Sequence, residues 1–228
     1  FDDAVYSYSG EKFETMMKYC DQMVVATPYL KDYVSRFKVP CEVIYSPVDT
    51  DVIKPYASTN ANAVIGWIGS PWTAKYLHDL APVFRQLAGE FRFKLLVVGA
   101  DLKLEGVETE CHPWSEKQEK KALLETDIGI MPVRDDEWSR MKGGYKLFLY
   151  MAAGLPIVAT PSGINREIVR DGVNGFAADS IDKWLDALRT LCNDEALRKR
   201  MGTEGRKEAE SKYSYAVCTP LLCSCITR

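Results

Sequence analysis

Two adjacent glycines set between two lysines, Lys142-Gly143-Gly144-Tyr145-Lys146, are the residues whose type and spacing best suit a reaction at a diphosphate. Such a ligand needs positive charge and close approach of backbone N–H groups, and this segment supplies both. It lacks the Gly-x-x-x-x-Gly-Lys-Ser/Thr spacing of nucleoside triphosphatases. Taken locally, it reads equally well as a flexible loop with two surface lysines. A second stretch, Ile68-Gly69-Ser70-Pro71-Trp72-Thr73-Ala74-Lys75, reads as a strand end, a Gly-Ser turn and a helix beginning near Thr73. Unpaired N–H groups and the helix dipole would favour an anion there. Gly69 removes an obstructing Cβ, Ser70 offers a hydroxyl and Lys75 a charge; a plain strand-helix turn with a solvated lysine is the alternative. Asp135-Asp136-Glu137 could do acid–base work or hold a cation, or could form a solvated turn. His112 and Trp114 follow an expected edge strand, where Trp114 either stacks on a base or fills the core. No Gly-x-Ser-x-Gly elbow or spaced Cys/His pair nominates a hydrolytic nucleophile.

The elements that would position these residues alternate in type. Apolar runs at Gln22–Ala26, Cys41–Tyr45, Val64–Ile68, Phe93–Val98, Asp127–Met131, Pro156–Ala159 and Gly175–Ala177 read as strands. Between them the spacing predicts helices over Glu11–Cys20, from Thr27 (N-cap, with Pro28 behind it) to about Phe37, and over Thr73–Gly89. Further helices are predicted over Ser115–Thr126, Tyr145–Ala153 closed by Gly154, Ser180–Cys192 and Asp194–Tyr213. Pro47, Pro55 and Asn60-Ala-Asn62 mark a linker. Continuous apolar strands alternating with amphipathic helices predict an α/β fold, a Rossmann-like doubly wound parallel sheet covered on both faces. Ligands of such sheets bind beyond the carboxyl ends of the strands, which singles out the loops Gly69–Lys75, Gly99–Leu102 and Pro132–Lys146.

Composition narrows the function classes. Of 228 residues 46% are hydrophobic and 27% charged, an ordinary globular balance. The net charge of −3 provides no broad basic field, so no nucleic-acid partner is expected. The seven cysteines are odd in number and irregularly spaced, and the two histidines are too few for a structural metal site, so no metal is expected and the thiols read as reduced and cytoplasmic. No signal peptide opens the chain, and no apolar run is long enough to span a bilayer. Phe1-Asp2-Asp3-Ala4 lacks a starting Met, which reads as a fragment or processed product. After Val217 the tail changes character abruptly.

The run Lys142-Gly-Gly-Tyr-Lys-Leu-Phe-Leu-Tyr-Met-Ala-Ala-Gly-Leu-Pro-Ile-Val-Ala-Thr160 resembles the retaining glycosyltransferases of the two-Rossmann-domain (GT-B) fold, family 4, the glycosyl transferases group 1. Gly163-Ile-Asn-Arg-Glu167, Asp171-Gly-Val-Asn-Gly-Phe176, Ile65-Gly-Trp-Ile-Gly-Ser-Pro71, Asp127-Ile-Gly-Ile-Met-Pro132 and the closing run from Leu197 to Ser214 fit the same family. The resemblance covers roughly residues 21–214. It implies a donor-binding C-terminal domain over 60–213, a remnant of the acceptor domain and linker over 1–55, and a C-terminal tail over 214–228. Many members carry two glutamates in the donor site; here Met141 and Leu149 occupy those positions, and neither accepts a hydrogen bond from a sugar hydroxyl. Lys142 and Lys146 match a Lys-x-x-x-Lys subgroup instead.

The implied reaction moves a sugar from a nucleotide diphosphate sugar to an acceptor hydroxyl with retention, in polysaccharide or lipopolysaccharide synthesis, with no cofactor. Lys142 and Lys146 would act catalytically on the leaving diphosphate, with Lys75 beside them. Gly69, Ser70, Gly143, Gly144 and Tyr145 would bind the substrate, and Gly99 and Trp114 the base. The partners implied are a nucleotide sugar and a saccharide or lipid-linked acceptor, with the absent part of the acceptor domain free to touch a membrane surface from the cytoplasm. Two other readings stay open on the sequence: a nucleotide-sugar-binding protein without catalysis, and a sugar-nucleotide epimerase of the same fold. The fragment alone is expected to be inactive.

Overall fold

The structure is a computed structural model and describes residues 1–56 and 58–227. A two-stranded parallel sheet, β1 (Met23–Val25) and β2 (Cys41–Val43), precedes a six-stranded parallel sheet. The larger sheet contains β3 (Ala63–Ile68), β4 (Phe93–Val98), β5 (Thr109–His112), β6 (Ile128–Met131), β7 (Ile157–Ala159) and β8 (Gly175–Ala177), in the order β5-β4-β3-β6-β7-β8. The order reverses direction at β3, which is the doubly wound arrangement foreseen from the alternating pattern. The expected edge strand before His112 is β5.

Alternate strand residues feed the two faces. Ile65, Trp67, Leu95, Val97, Ile128 and Ile130 point to one face. There they meet α3 (Lys75–Asp79), α4 (Ala81–Glu90) and α9 (Ile181–Asn193). Val64, Ile68, Leu96, Val98 and Met131 point to the other face. Their partners are α5 (Glu116–Glu125), α7 (Tyr145–Ala152) and the π-helical turn Ala209–Tyr213 that follows α10 (Glu195–Glu208). The remaining short helices are α6 (Glu137–Arg140) and α8 (Asn165–Ile168). The N-terminal strands pack with α1 (Tyr6–Met17) and α2 (Pro28–Ser35) around Phe13, Val25, Leu30 and Val34. Thr27 caps α2 as expected, accepting from the Leu30 N–H at 3.1 Å. Ser115 caps α5 in the same way, accepting from the Gln118 N–H at 3.1 Å.

Three expectations change in detail. The single helix over Thr73–Gly89 is two helices: Thr73 lies in a turn, and Pro82, lacking an N–H, sits in the first turn of α4 just after the break at Leu80. The helix expected to run through Tyr213 leaves α geometry after Glu208. The tail is helical as α11 (Tyr215–Ile226), with Pro220 inside it. The linker is tied to the chain's far end, because the Val48 N–H donates to the Tyr213 carbonyl at 2.8 Å. Arg206 clamps the same linker by donating to the carbonyls of Thr50 and Ile53, each at 2.6 Å. Among the described residues no helix is long and apolar enough to cross a membrane.

Candidate functional site

The register of β3 and β4 pairs Ile68 with Val98, so the next residues, Gly69 and Gly99, emerge side by side at the carboxyl edge. The Gly69 N–H donates to the Val98 carbonyl at 2.9 Å, and the Gly99 N–H to the His112 carbonyl at 2.8 Å. Gly99 has φ +92°, and a Cβ there would stand 1.9 Å from the Gly69 carbonyl oxygen. Glycine is required for both reasons. Behind this edge the Tyr150 hydroxyl of α7 accepts the Ile68 N–H at 3.0 Å, and burial pushes its phenol far above the ordinary value. Gly129 makes room for that ring, since a Cβ on it would lie 2.3 Å from Tyr150 Cγ.

Above the edge lies a cleft of about 560 Å³. Its walls come from the loops after β3, β4, β5 and β6, from the start of α7, and from Asp2 and Asp3 at the N-terminal segment. Nine of the residues singled out from sequence line it: Gly69, Ser70, Gly99, Trp114, Lys142, Gly143, Gly144, Tyr145 and Lys146. Gly144 begins α7 in the left-handed region at φ 71°, and no side chain caps the helix. Its first amides and the positive end of its dipole are therefore left for an anion.

Lys146 stands in the first turn of α7, its ammonium 4.6 Å from the centroid of the Trp67 ring and close against Gly69. Burial in the cleft wall, reinforced by repulsion from Lys142, pushes that ammonium down to about 7. Among the described residues it has no carboxylate partner within salt-bridge range. Lys142 is better compensated. Its ammonium is 3.9 Å from the Asp3 carboxylate and 5.2 Å from the centroid of the Trp138 ring. Burial raises the Asp3 carboxyl from its ordinary value despite that lysine. The resulting cleft is a cation-bearing helix start facing two obligatory glycines, an arrangement that can hold and neutralise a diphosphate.

Lys75 is corrected. Its side chain is exposed over Tyr76, 5.2 Å from the ring centroid, and does not line the cleft. The reason is the turn at Ser70–Ala74. The Ser70 N–H donates to Thr73 Oγ1 at 3.2 Å and the Thr73 N–H returns to the Ser70 carbonyl at 2.9 Å, so the helix starts later than expected and Thr73 and Tyr76 face the cleft instead. Two of the three acidic residues, Asp135 and Asp136, are architectural. Asp136 caps α6, accepting from Ser139 N–H at 2.8 Å. Asp135 accepts from Arg140 at 2.9 Å, Ser162 at 2.8 Å and Arg166 at 3.2 Å. Arg140 above all, then Ser162, holds its carboxyl at about 2. His112 bridges to Glu110 at 2.7 Å on β5 rather than facing the cleft. Among the described residues no group of three His, Cys, Asp or Glu side chains gathers as a metal site.

Of the two glutamate-replacing residues, Leu149 lines the cleft, whereas Met141 packs on the N-terminal cluster. Glu119 was missed as a site residue. It lines the cleft from the first turns of α5 and accepts the Trp114 indole N–H at 3.1 Å. The signal was available: an aromatic residue directly before an N-cap, with an acid five residues on.

Comparison with known proteins bears on the family and the fold. Residues 62–194 match the family model described as "Glycosyl transferases group 1". The capsular polysaccharide biosynthesis glycosyltransferase CapM of Staphylococcus aureus is 22% identical over 169 residues, 68% of this chain and 43% of its own length. Anabaena HepE, solved with UDP and glucose, superposes with a TM-score of 0.75 at 15% identity, over 94% of this chain and 67% of that one. A variant of S. aureus TarM, solved with fondaparinux, α-GlcNAc-glycerol and UDP, gives a TM-score of 0.70 at 17% identity, over 92% of this chain and 44% of that one. The chain spans less than half the length of the curated relatives it matches. The fold is a Rossmann-like parallel sheet matching those of GT-B glycosyltransferases, and the chain belongs to the glycosyl transferases group 1 family.

Proposed function

We propose that this cleft binds the diphosphate of a nucleotide sugar and that the chain is the donor-binding part of a glycosyltransferase acting on an acceptor hydroxyl with retention. The observation that carries the reading is the uncapped start of α7, where Lys146 and Lys142 face the glycine pair Gly69 and Gly99. In sugar transfer, negative charge grows on the departing diphosphate as the glycosidic bond breaks. Groups already fixed around that charge lower the barrier without reorganising. Lys146 meets it at the helix start; Lys142 meets it from the preceding turn, with Asp3 at its side. Residues 60–213 would form the donor domain, residues 1–55 a remnant of the acceptor domain with its linker, and residues 214–228 the tail. HepE and TarM, solved with UDP, make uridine nucleotides the first donors to try, and CapM makes a saccharide the first acceptor.

The test is calorimetric titration of the chain with nucleoside diphosphates and their sugar esters. Binding of one nucleoside diphosphate series, weakened by Lys142→Ala, supports the reading. No binding by any member of the panel overturns it. Acceptor-dependent release of the nucleoside diphosphate, with the anomeric configuration of the product read by NMR, tests transfer and retention separately.

A further inference from the structure

The cleft carries a second polar centre, away from the lysines. Strand order places the loop bearing Trp114 two strands from the loop bearing Gly69. At the usual strand spacing that is roughly 10 Å, the order of the distance from a base to its outer phosphate. Trp114 is 60% exposed, and its Cβ lies 3.4 Å from where a Cβ on Gly99 would be. An exposed indole on a cleft wall is a platform for a flat ring. Its N–H is bonded to Glu119 Oε2, and among the described residues Glu119 Oε1 has no hydrogen-bond partner. Glu119 faces α7 closely enough that its charge adds to burial in raising the Tyr145 phenol. On that helix Leu149, which lines the cleft beside Tyr145 and Lys146, can accept nothing.

We propose that Glu119 accepts hydrogen bonds from the ribose hydroxyls of the bound nucleotide, with the base against Trp114, and that it makes the cleft selective for ribonucleotides over 2′-deoxyribonucleotides. The inference rests on the donor-cleft reading above. A carboxylate offers two oxygens; one fixes the indole and the other is left for a hydroxyl donor. The carboxylate that Leu149 cannot provide from α7 thus comes from α5.

The experiment is calorimetric titration with UDP and 2′-deoxy-UDP, then ADP and GDP with their 2′-deoxy forms, on the native chain, Glu119→Ala and Glu119→Gln. The native chain should prefer the ribonucleotide by roughly 10-fold or more, the worth of a hydrogen bond to a charged group. Glu119→Ala should bind both forms alike, and Glu119→Gln, whose amide oxygen still accepts, should keep part of the preference. If Glu119 merely holds Trp114, both forms weaken equally in Glu119→Ala, the ratio stays at its native value, and the proposal is wrong while the donor cleft stands. Failure of the native chain to bind any of these nucleotides would remove the donor-cleft reading and this proposal with it. Equal thermal unfolding midpoints of the three proteins check that the half-exposed substitution leaves the fold intact.

Discussion

Replacing Lys146 by methionine should make the protein more stable and its cleft worse. Methionine keeps the length and apolar stem of the side chain and removes the charge. In the folded chain the Lys146 ammonium is held at about 7 by burial first and by Lys142 second. In the unfolded chain it titrates near 10.4. Between those values the unfolded state binds more protons, so stability rises with pH across the window, and the cost of the buried charge is greatest below pH 7. A gap of about 3 units corresponds to about 4 kcal/mol at pH 7. Relaxation and water entry reduce this to about 1–3 kcal/mol. Urea unfolding at pH 6, 7 and 9 should show Lys146→Met ahead of the native chain by that amount at pH 6 and 7, with the advantage shrinking toward alkaline pH.

Binding should move the other way. The diphosphate of a nucleotide sugar keeps its charge between pH 6 and 9, so any pH dependence reports the protein. As the protonated fraction of Lys146 falls, the native Kd should rise roughly 10-fold between pH 6 and pH 8. Lys146→Met should bind weakly at every pH, because removing one partner of a desolvated charge pair costs about 2–5 kcal/mol. Calorimetric titration with the nucleotide sugar that binds best reads both effects. A Lys146→Met protein less stable than native at pH 7 would refute the account of this lysine. So would a native pH profile that survives the substitution.

Three further outcomes follow from the same geometry. Gly99→Ala puts a Cβ into the Gly69 carbonyl at a positive φ; it should cost at least about 2 kcal/mol in urea unfolding and weaken nucleotide binding by displacing the edge. Tyr150→Phe leaves the buried Ile68 N–H without its acceptor; a loss of about 1–3 kcal/mol is expected in thermal or urea unfolding. Asp135→Ala should leave nucleotide affinity unchanged, since Asp135 does not line the cleft. Its carboxyl is held at about 2 in the fold, so its contribution is present above about pH 4 and lost as pH falls through 2. With the side chain 39% exposed, that contribution should be under about 1 kcal/mol, and chemical unfolding at pH 7 and pH 2 measures it.

What the sequence disclosed of this molecule divides by the range of the interactions that decide it. The strands were legible because both faces are covered and their residues are nearly all apolar, as in Phe93–Val98. The Gly143-Gly144 start of α7 was legible because its glycines, lysines and helix are contiguous. Thr73 and Lys75 were misplaced because a Ser70–Thr73 side-chain bond and Pro82 redraw one amphipathic stretch into a turn and two helices. The C-terminal helix was not foreseen, since Pro220 and a cysteine-rich run carry no helical period.

The site itself is the least local feature. Gly69 and Gly99 become a pair only when Ile68 aligns with Val98, and Lys146 stands against Gly69 from a helix whose Tyr150, one turn later, bonds Ile68. That one hydroxyl thus couples the rotation of α7 to the height of β3. The lysine and the glycine proposed to meet the ligand are tied to the same bond. A residue's chemical type can be read from a short motif; its aim at a ligand is set by contacts such as this, 82 residues apart in the chain.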